Sequence, residues 1–154
     1  PVPVPEIAPP EGYRPVDRDV LGEQGLRLVL DAWSPATADA AAAGWGGDRY
    51  AVVARETKDG RALTSLWHVV FDTEPDAVEA EEAIFAPGTG AFGGTPRAGC
   101  VERRRLGPLA YARRGRALVL VAGPHERTAK GEARPAGSCA EATRWRDEML
   151  NNER

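Results

Sequence analysis

The sequence is poor in the side chains on which catalytic and metal sites usually depend. It has two cysteines and two histidines, and His68 and His125 stand at no spacing typical of metal ligands. No G-x-S-x-G motif marks a serine nucleophile, and neither "GWGGD" nor "GTGAFGG" has the G-x-x-x-x-G-K-[ST] pattern of a phosphate-binding loop. These absences argue against a metal, a nucleotide or another cofactor, and they predict a protein that is not an enzyme.

The chain also lacks a run of about 20 apolar residues, which a membrane-spanning helix requires. Lysine occurs only at positions 58 and 130, and the net charge of the 154 residues is −3. This charge gives no general attraction to nucleic acid or to an anionic membrane, and we predict no nucleic-acid partner. The length suits one domain that buries a core of its own.

Proline is abundant at the start, in "PVPVPEIAPPEGYRP". Proline fixes φ and removes an amide donor, so residues 1–18 are predicted to form an extended tether. Such a spacer is compatible with a lipid or membrane anchor upstream. Residues 19–154 are then predicted to form one domain.

Within that domain, hydrophobic periodicity predicts helices from Asp19 and over residues 36–43, and strands on either side of a turn at residues 58–60. A capping box at residues 73–76 begins a helix that ends near Pro87, and a second one at residues 138–141 begins the last helix. Between them lie a glycine-rich loop, a strand pair that turns at Arg114-Gly115, and a loop over residues 125–137. The order predicts an α+β fold with two αββ-like units and a C-terminal helix. We expect an antiparallel sheet of about four strands with helices packed on one face, and in the second strand Trp67 on the core side.

The stretch "GWGGDR" at residues 44–49 invites two interpretations. In the structural one, Gly44 ends the alanine-rich helix in the left-handed conformation, Trp45 fills a gap beside that helix, and Asp48 and Arg49 bond turn amides or pair with Asp72. In the functional one, Trp45, Asp48 and Arg49 contact a ligand or partner. The structural interpretation is the stronger, because the stretch runs from helix to strand, the wrong order for a phosphate site.

Two further features bear on function. Cys100 and Cys139 form either one extracytoplasmic disulfide or two inert thiols. The only concentrated charge is a basic band, which consists of Arg103, Arg104, Arg105, Arg113, Arg114 and Arg116. It predicts a surface for an acidic partner at Arg104 and Arg114, or simple protection of an edge strand against aggregation.

Residues 40–84 resemble a known pattern. Its parts are an alanine-rich helix, a G-W-G-x-D-R turn, a strand with Trp67 that ends in Asp72, and an acidic helix that begins near Asp76. In this combination the chain resembles haloarchaeal surface proteins of the Hvo_1808 family and related bacterial secreted proteins and lipoproteins. The resemblance implies an extracytoplasmic location, in the periplasm or at the cell surface, and implies no catalytic residues.

Together these observations predict a non-enzymatic surface or periplasmic module, such as an accessory subunit, that binds another protein or an envelope component. The alternatives are a noncatalytic domain detached from a larger secreted hydrolase and, less favoured, a stand-alone enzyme.

Overall fold

The computed structural model describes residues 2–85 and 99–152, which form an α+β fold. The helices and strands in chain order are β1 (Arg14–Asp19), α1 (Gly22–Trp33), α2 (Ala38–Ala42), β2 (Trp45–Glu56), β3 (Gly60–Phe71), α3 (Glu74–Phe85), β4 (Cys100–Arg103), β5 (Gly107–Arg114), β6 (Ala117–Thr128), β7 (Ala133–Pro135) and α4 (Cys139–Asn151). The glycine-rich loop predicted after α3 lies almost wholly outside the described residues.

The strands form one antiparallel sheet in the order β1-β2-β3-β6-β5-β4, and β7 pairs with the far end of β6. The predicted α+β class is confirmed, but the prediction of about four strands is wrong, since residues 2–85 and 99–152 alone form a sheet of seven. The basic segment after Cys100 divides into β4 and β5, and the predicted loop over residues 125–137 contains the end of β6 and all of β7.

Helices cover both faces of this sheet, which corrects the prediction of a single covered face. On the first face, α1, α2 and α3 pack against Trp67, Val69 and Phe71 of β3. On the second face, α4 packs against Leu66 of β3 and against β6. The prediction failed because β3 is buried on both sides: its other set of side chains is also buried, and includes Thr64, Leu66 and His68.

The proline-rich segment packs on the folded domain. Residues 2–10 have no regular secondary structure, yet Val4 and Ile7 are buried against the second face of the sheet. The amide of Val2 donates to the carbonyl oxygen of Gly46 at 2.8 Å. Residues 14–18, which the sequence assigned to the tether, belong to β1 and pair with β2. Whether the segment also links the domain to an anchor stays a prediction.

Two of the predicted local signals form as expected, and a third, the capping box at Ser138, does not. Thr73 caps α3, because its Oγ1 accepts from the amide of Asp76 at 3.2 Å and donates to the Asp76 carboxylate at 2.6 Å. Gly115, with φ of 58°, forms the turn between β5 and β6. Ser138 is the N-cap residue of α4 but makes no side-chain cap bond; the Glu102 carboxylate accepts from the first amide of the helix instead.

Candidate functional site

Asp48 is the organising residue of the "GWGGDR" stretch. It lies in β2 with only 3% of its surface exposed. Its Oδ1 accepts from the Gly22 amide at 2.9 Å and from the Trp45 indole at 3.0 Å, and its Oδ2 accepts from the Leu21 amide at 2.8 Å and from the Trp67 indole at 3.0 Å. Each oxygen therefore binds one backbone amide and one indole, and the carboxylate ties the start of α1 to two tryptophans of the sheet.

The other residues of this stretch differ in detail from the structural interpretation. Gly44 does not adopt the left-handed conformation; it is needed because a Cβ at this position would collide with the side chain of Asp76. Trp45 is half-buried and packs at the edge of the first-face core, as expected. Arg49 is exposed, and its Nε donates to the carbonyl oxygen of Val4 at 3.3 Å, with no bond to Asp72. A ligand role for Trp45, Asp48 and Arg49 stays a prediction.

The six arginines of the basic band do not form one surface. Arg104 lies at the turn before β5, whereas Arg114 is the last residue of β5, at the other end of that strand. Arg113 pairs with Glu74 and Glu81 of α3, both at 3.4 Å. Arg114 donates to the carbonyl oxygen of Leu150 at the end of α4. The candidate binding residues Arg104 and Arg114 are therefore separated by the length of a strand, and neither adjoins Asp48 in sequence or register.

Cys100 and Cys139 form a disulfide bond, which joins β4 to the start of α4. Of the two alternatives that the sequence left open, the bridged one is thus present. The bond fixes the helix that covers the second face of the sheet. Both cysteines belong to the core of the second face.

The first face of the sheet is left partly open beside α1. Here a groove of about 570 Å³ lies between the helix and strands β2, β3, β5 and β6. Its apolar wall consists of Leu21, Val29, Tyr50, Trp67, Leu106, Leu109, Leu120 and Ala122. This volume falls within the range of pockets that hold small molecules, about 300–1,000 Å³. We refer to this feature as the first-face groove.

Two hydroxyl groups lie along the floor of the first-face groove. Tyr50 donates to the Oγ of Ser65 at 3.3 Å across β2 and β3. Both residues line the groove and both are half-buried. They give an otherwise apolar floor one pair of polar atoms.

One end of the groove carries positive charge. Arg103 lines the groove, and its guanidinium is held by backbone oxygens: Nε donates to Gly107 at 3.0 Å and Nη2 donates to Leu106 at 3.0 Å. Burial lowers the pKa of Arg103 from its usual value, although an arginine keeps its charge at neutral pH. No carboxylate pairs with Arg103 among residues 2–85 and 99–152, and its Nη1 bonds to none of them.

His125 lies next to this charge. It pairs with Leu63 in the register of β3 and β6, so that it belongs to the same face as the groove. Burial, then the positive charges of Arg127 and Arg103, lower the pKa of His125. The imidazole is therefore neutral at pH 7, and Arg103 supplies the positive charge at this end.

Sequence reasoning missed the groove although it named several of its residues. Alternation along β3 correctly placed Ser65 and Trp67 on one face, and Arg103 was counted in the basic band. The missing fact was how far α1 reaches across the sheet, since Val29 lines the groove and Leu28 is exposed. Helix position over a sheet depends on tertiary packing, and periodicity in one segment does not reveal it.

A second, smaller cavity of about 70 Å³ lies on the other face between residues 5–10, His68 and α4. Within the described ranges, no cluster of three or more His, Cys, Asp or Glu side chains is arranged to hold a metal ion. None of the helices in those ranges is both long enough and apolar enough to cross a bilayer.

Comparison with family models matches residues 11–132 to DUF8575, a domain of unknown function. Searches among curated proteins and among solved structures found no match. The matched range contains Asp48, both tryptophans that it binds, and every residue that lines the first-face groove.

Proposed function

Because the chain belongs to the DUF8575 family, whose function is not defined, we propose a function from the geometry of its own surface. We propose that the protein is a non-enzymatic binding module and that the first-face groove receives part of another protein or an envelope component. The observation that carries this proposal is the groove itself, a concave and mostly apolar site of about 570 Å³ that the helices leave partly open to solvent. Concave apolar sites of this size commonly bind ligands.

The anchoring of Trp67 supports the same function. Trp67 lines the groove while its indole nitrogen is bonded to the buried Asp48. The ring is therefore held before any partner arrives, and a preorganised side chain loses little conformational freedom on binding. Tryptophan is also a residue on which binding energy often concentrates.

We also propose an extracytoplasmic location, in the periplasm or at the cell surface. The Cys100–Cys139 disulfide supports this proposal, since structural disulfides persist mainly in oxidising compartments. Cells that make the protein would be treated with a membrane-impermeant thiol reagent after mild reduction. Labelling of Cys139, which is half-buried, is expected in intact cells, whereas Cys100 is only 4% exposed and is not needed for this readout. Labelling of Cys139 only after lysis would contradict the location.

Site-specific photo-crosslinking tests the binding role. A photoreactive amino acid would replace Leu106, which lines the groove and is 42% exposed. Val16 is the matched control, because it is 39% exposed and lies in β1 at the opposite edge of the sheet. In cells that naturally make the protein, illumination is expected to join position 106 to one discrete component.

The control at position 16 separates binding in the groove from nonspecific crosslinking of exposed residues. Position 16 is expected to give no discrete product, since Val16 does not line the first-face groove. Equal products at both positions, or no product at position 106, would show that the first-face groove is not the binding surface.

A further inference from the structure

The first-face groove combines a long apolar wall with a single cation at one end. Along the wall, Leu21 and Val29 are half-buried and Leu106 is 42% exposed, so their side chains offer contacts to hydrocarbon. At the end, Arg103 carries a charge that only neutral carbonyl oxygens contact within the described part of the chain. A half-buried cation without a paired anion favours the binding of an anion beside it.

We infer that the groove binds a long-chain carboxylate, with the hydrocarbon chain along Leu21, Val29 and Leu106 and the carboxylate at Nη1 of Arg103. This inference rests on the proposed binding function and names the class of envelope component. The hydrocarbon chain accounts for the apolar wall, and the carboxylate accounts for the position of the charge.

A carboxylate head fits the charge of this end. The guanidinium has a fixed planar fork, and Nη1 retains two N–H donors because Nε and Nη2 are engaged by the backbone. His125 is neutral at pH 7 because burial and the positive charges of Arg127 and Arg103 lower its pKa. Among the residues that line the groove, Arg103 is the charged one, and its single charge matches a singly charged head.

Calorimetric titration with ten-carbon ligands tests the head group. Decanoate, 1-decanol, decyltrimethylammonium and decyl phosphate share one chain and differ in the head. Decanoate is expected to bind at least about tenfold more tightly than 1-decanol, because a hydrogen bond to a charged group strengthens binding by roughly that factor. The cationic ligand is expected to bind most weakly. If 1-decanol or the cation binds as tightly as decanoate, or if decyl phosphate binds more tightly, the inference is wrong.

Two variants and one control test where the ligand lies in the groove. Arg103→Gln is expected to remove the preference for decanoate over 1-decanol, while Arg104→Gln, the same change at the neighbouring exposed residue, is expected to preserve it. Because Arg103 also holds the turn before β5, Ala122→Phe provides a second variant with the charge intact. Its added ring occupies the groove and is expected to weaken both ligands at least about tenfold.

The inference would be overturned if Arg104→Gln and Arg103→Gln lost the preference for decanoate over 1-decanol equally. Unchanged ligand binding in Ala122→Phe would also overturn it. The proposed binding function is tested separately by the product at position 106. A discrete crosslinked protein together with no binding of decanoate would leave the module function standing and reject the carboxylate ligand.

Discussion

At the scale of single residues, Asp48 explains most of the "GWGGDR" pattern. It accepts four hydrogen bonds, from two amides and two indoles, in a site that excludes water. The sequence indicated a structural role, and the four donors show its form: the aspartate connects α1 to the sheet. The hydrogen bond from Trp67 could not be predicted from sequence, because Trp67 lies on a different strand.

The Asp48→Asn substitution is expected to lower the free energy of unfolding by about 2–4 kcal/mol. The amide nitrogen of asparagine cannot accept hydrogen bonds, so two of the four N–H donors lose their acceptor in a site that is partly or fully buried. Urea denaturation at pH 7 measures the change. Asp31→Asn, on the exposed side of α1, is the control and is expected to stay within about 0.5 kcal/mol.

His125 gives the stability a dependence on pH. Its pKa in the folded protein is lowered below the ordinary 6.5 by burial, Arg127 and Arg103. As the pH falls through about 6.5, the unfolded chain takes up a proton before the folded chain does, so the free energy of unfolding falls. The contribution of His125 is thus complete above this pH and is lost toward the lower folded pKa.

Denaturation between pH 7.5 and 5.5 checks this sign. The wild type is expected to lose stability across the range, and His125→Gln is expected to lose less. In Arg127→Gln the slope should lie between the two, because one of the charges that lower the pKa is gone. A steeper slope in His125→Gln than in the wild type would contradict the assignment.

At the scale of helices and strands, the sequence predicted those elements whose signals are local. The capping box at Thr73 and the turn at Gly115 depend on neighbours within a few residues, and both lie where they were expected. β1 and β7 were missed because their side chains carry no apolar pattern. All six residues of β1 are exposed, and the strand forms because its backbone pairs with the edge of β2.

The disulfide holds the last helix, α4, against the sheet. Cys100 and Cys139 are separated by 39 residues in sequence, and closing a loop of this length stabilises a folded chain by roughly 4 kcal/mol. The double variant Cys100→Ser, Cys139→Ser is expected to lose about this much. A reductant should lower the melting temperature of the wild type toward that of the double variant.

The double variant is also the control for the reductant, since it has no bond to reduce. Its melting temperature is expected to be the same with and without reductant. A wild type that keeps its melting temperature in the reductant, with both thiols shown to be free, would contradict the stabilising role of the bond.

At the scale of the whole molecule, the basic residues are distributed and not concentrated. Arg104 lies before the start of β5 and Arg114 is its last residue, so the two are roughly 25 Å apart for a strand of this length. This separation exceeds the screening length of about 8 Å at physiological salt. The two arginines therefore act independently, which the sequence could not show, because proximity along the chain suggested one surface.

Charge reversal distinguishes the two residues. Arg104→Glu is expected to change the free energy of unfolding by less than about 0.5 kcal/mol, since the side chain is exposed and contacts no described acidic group. Arg114→Glu is expected to lower it by about 1 kcal/mol, because it loses bonds to Leu150 and Asn151 and places negative charge at the end of α4. In the double variant, the change in the free energy of unfolding should equal the sum of the two single changes. A departure of more than about 0.5 kcal/mol from the sum would indicate one coupled surface.

The glycines at positions 46 and 47 have a consequence for how this sequence can vary over evolution. A Cβ at Gly47 would collide with the carbonyl oxygen of Val2, whereas one at Gly46 would also crowd the carbonyl oxygen of Val70 and the carboxylate of Asp72. Residue 2 lies outside the matched range that begins at residue 11. In relatives whose upstream residues do not lie along β2, we expect position 47 to accept other residues, while position 46 stays glycine and Asp48 keeps its four donors. Substitutions at position 47 should therefore accompany changes near residue 2, and the aspartate should be inherited independently of them.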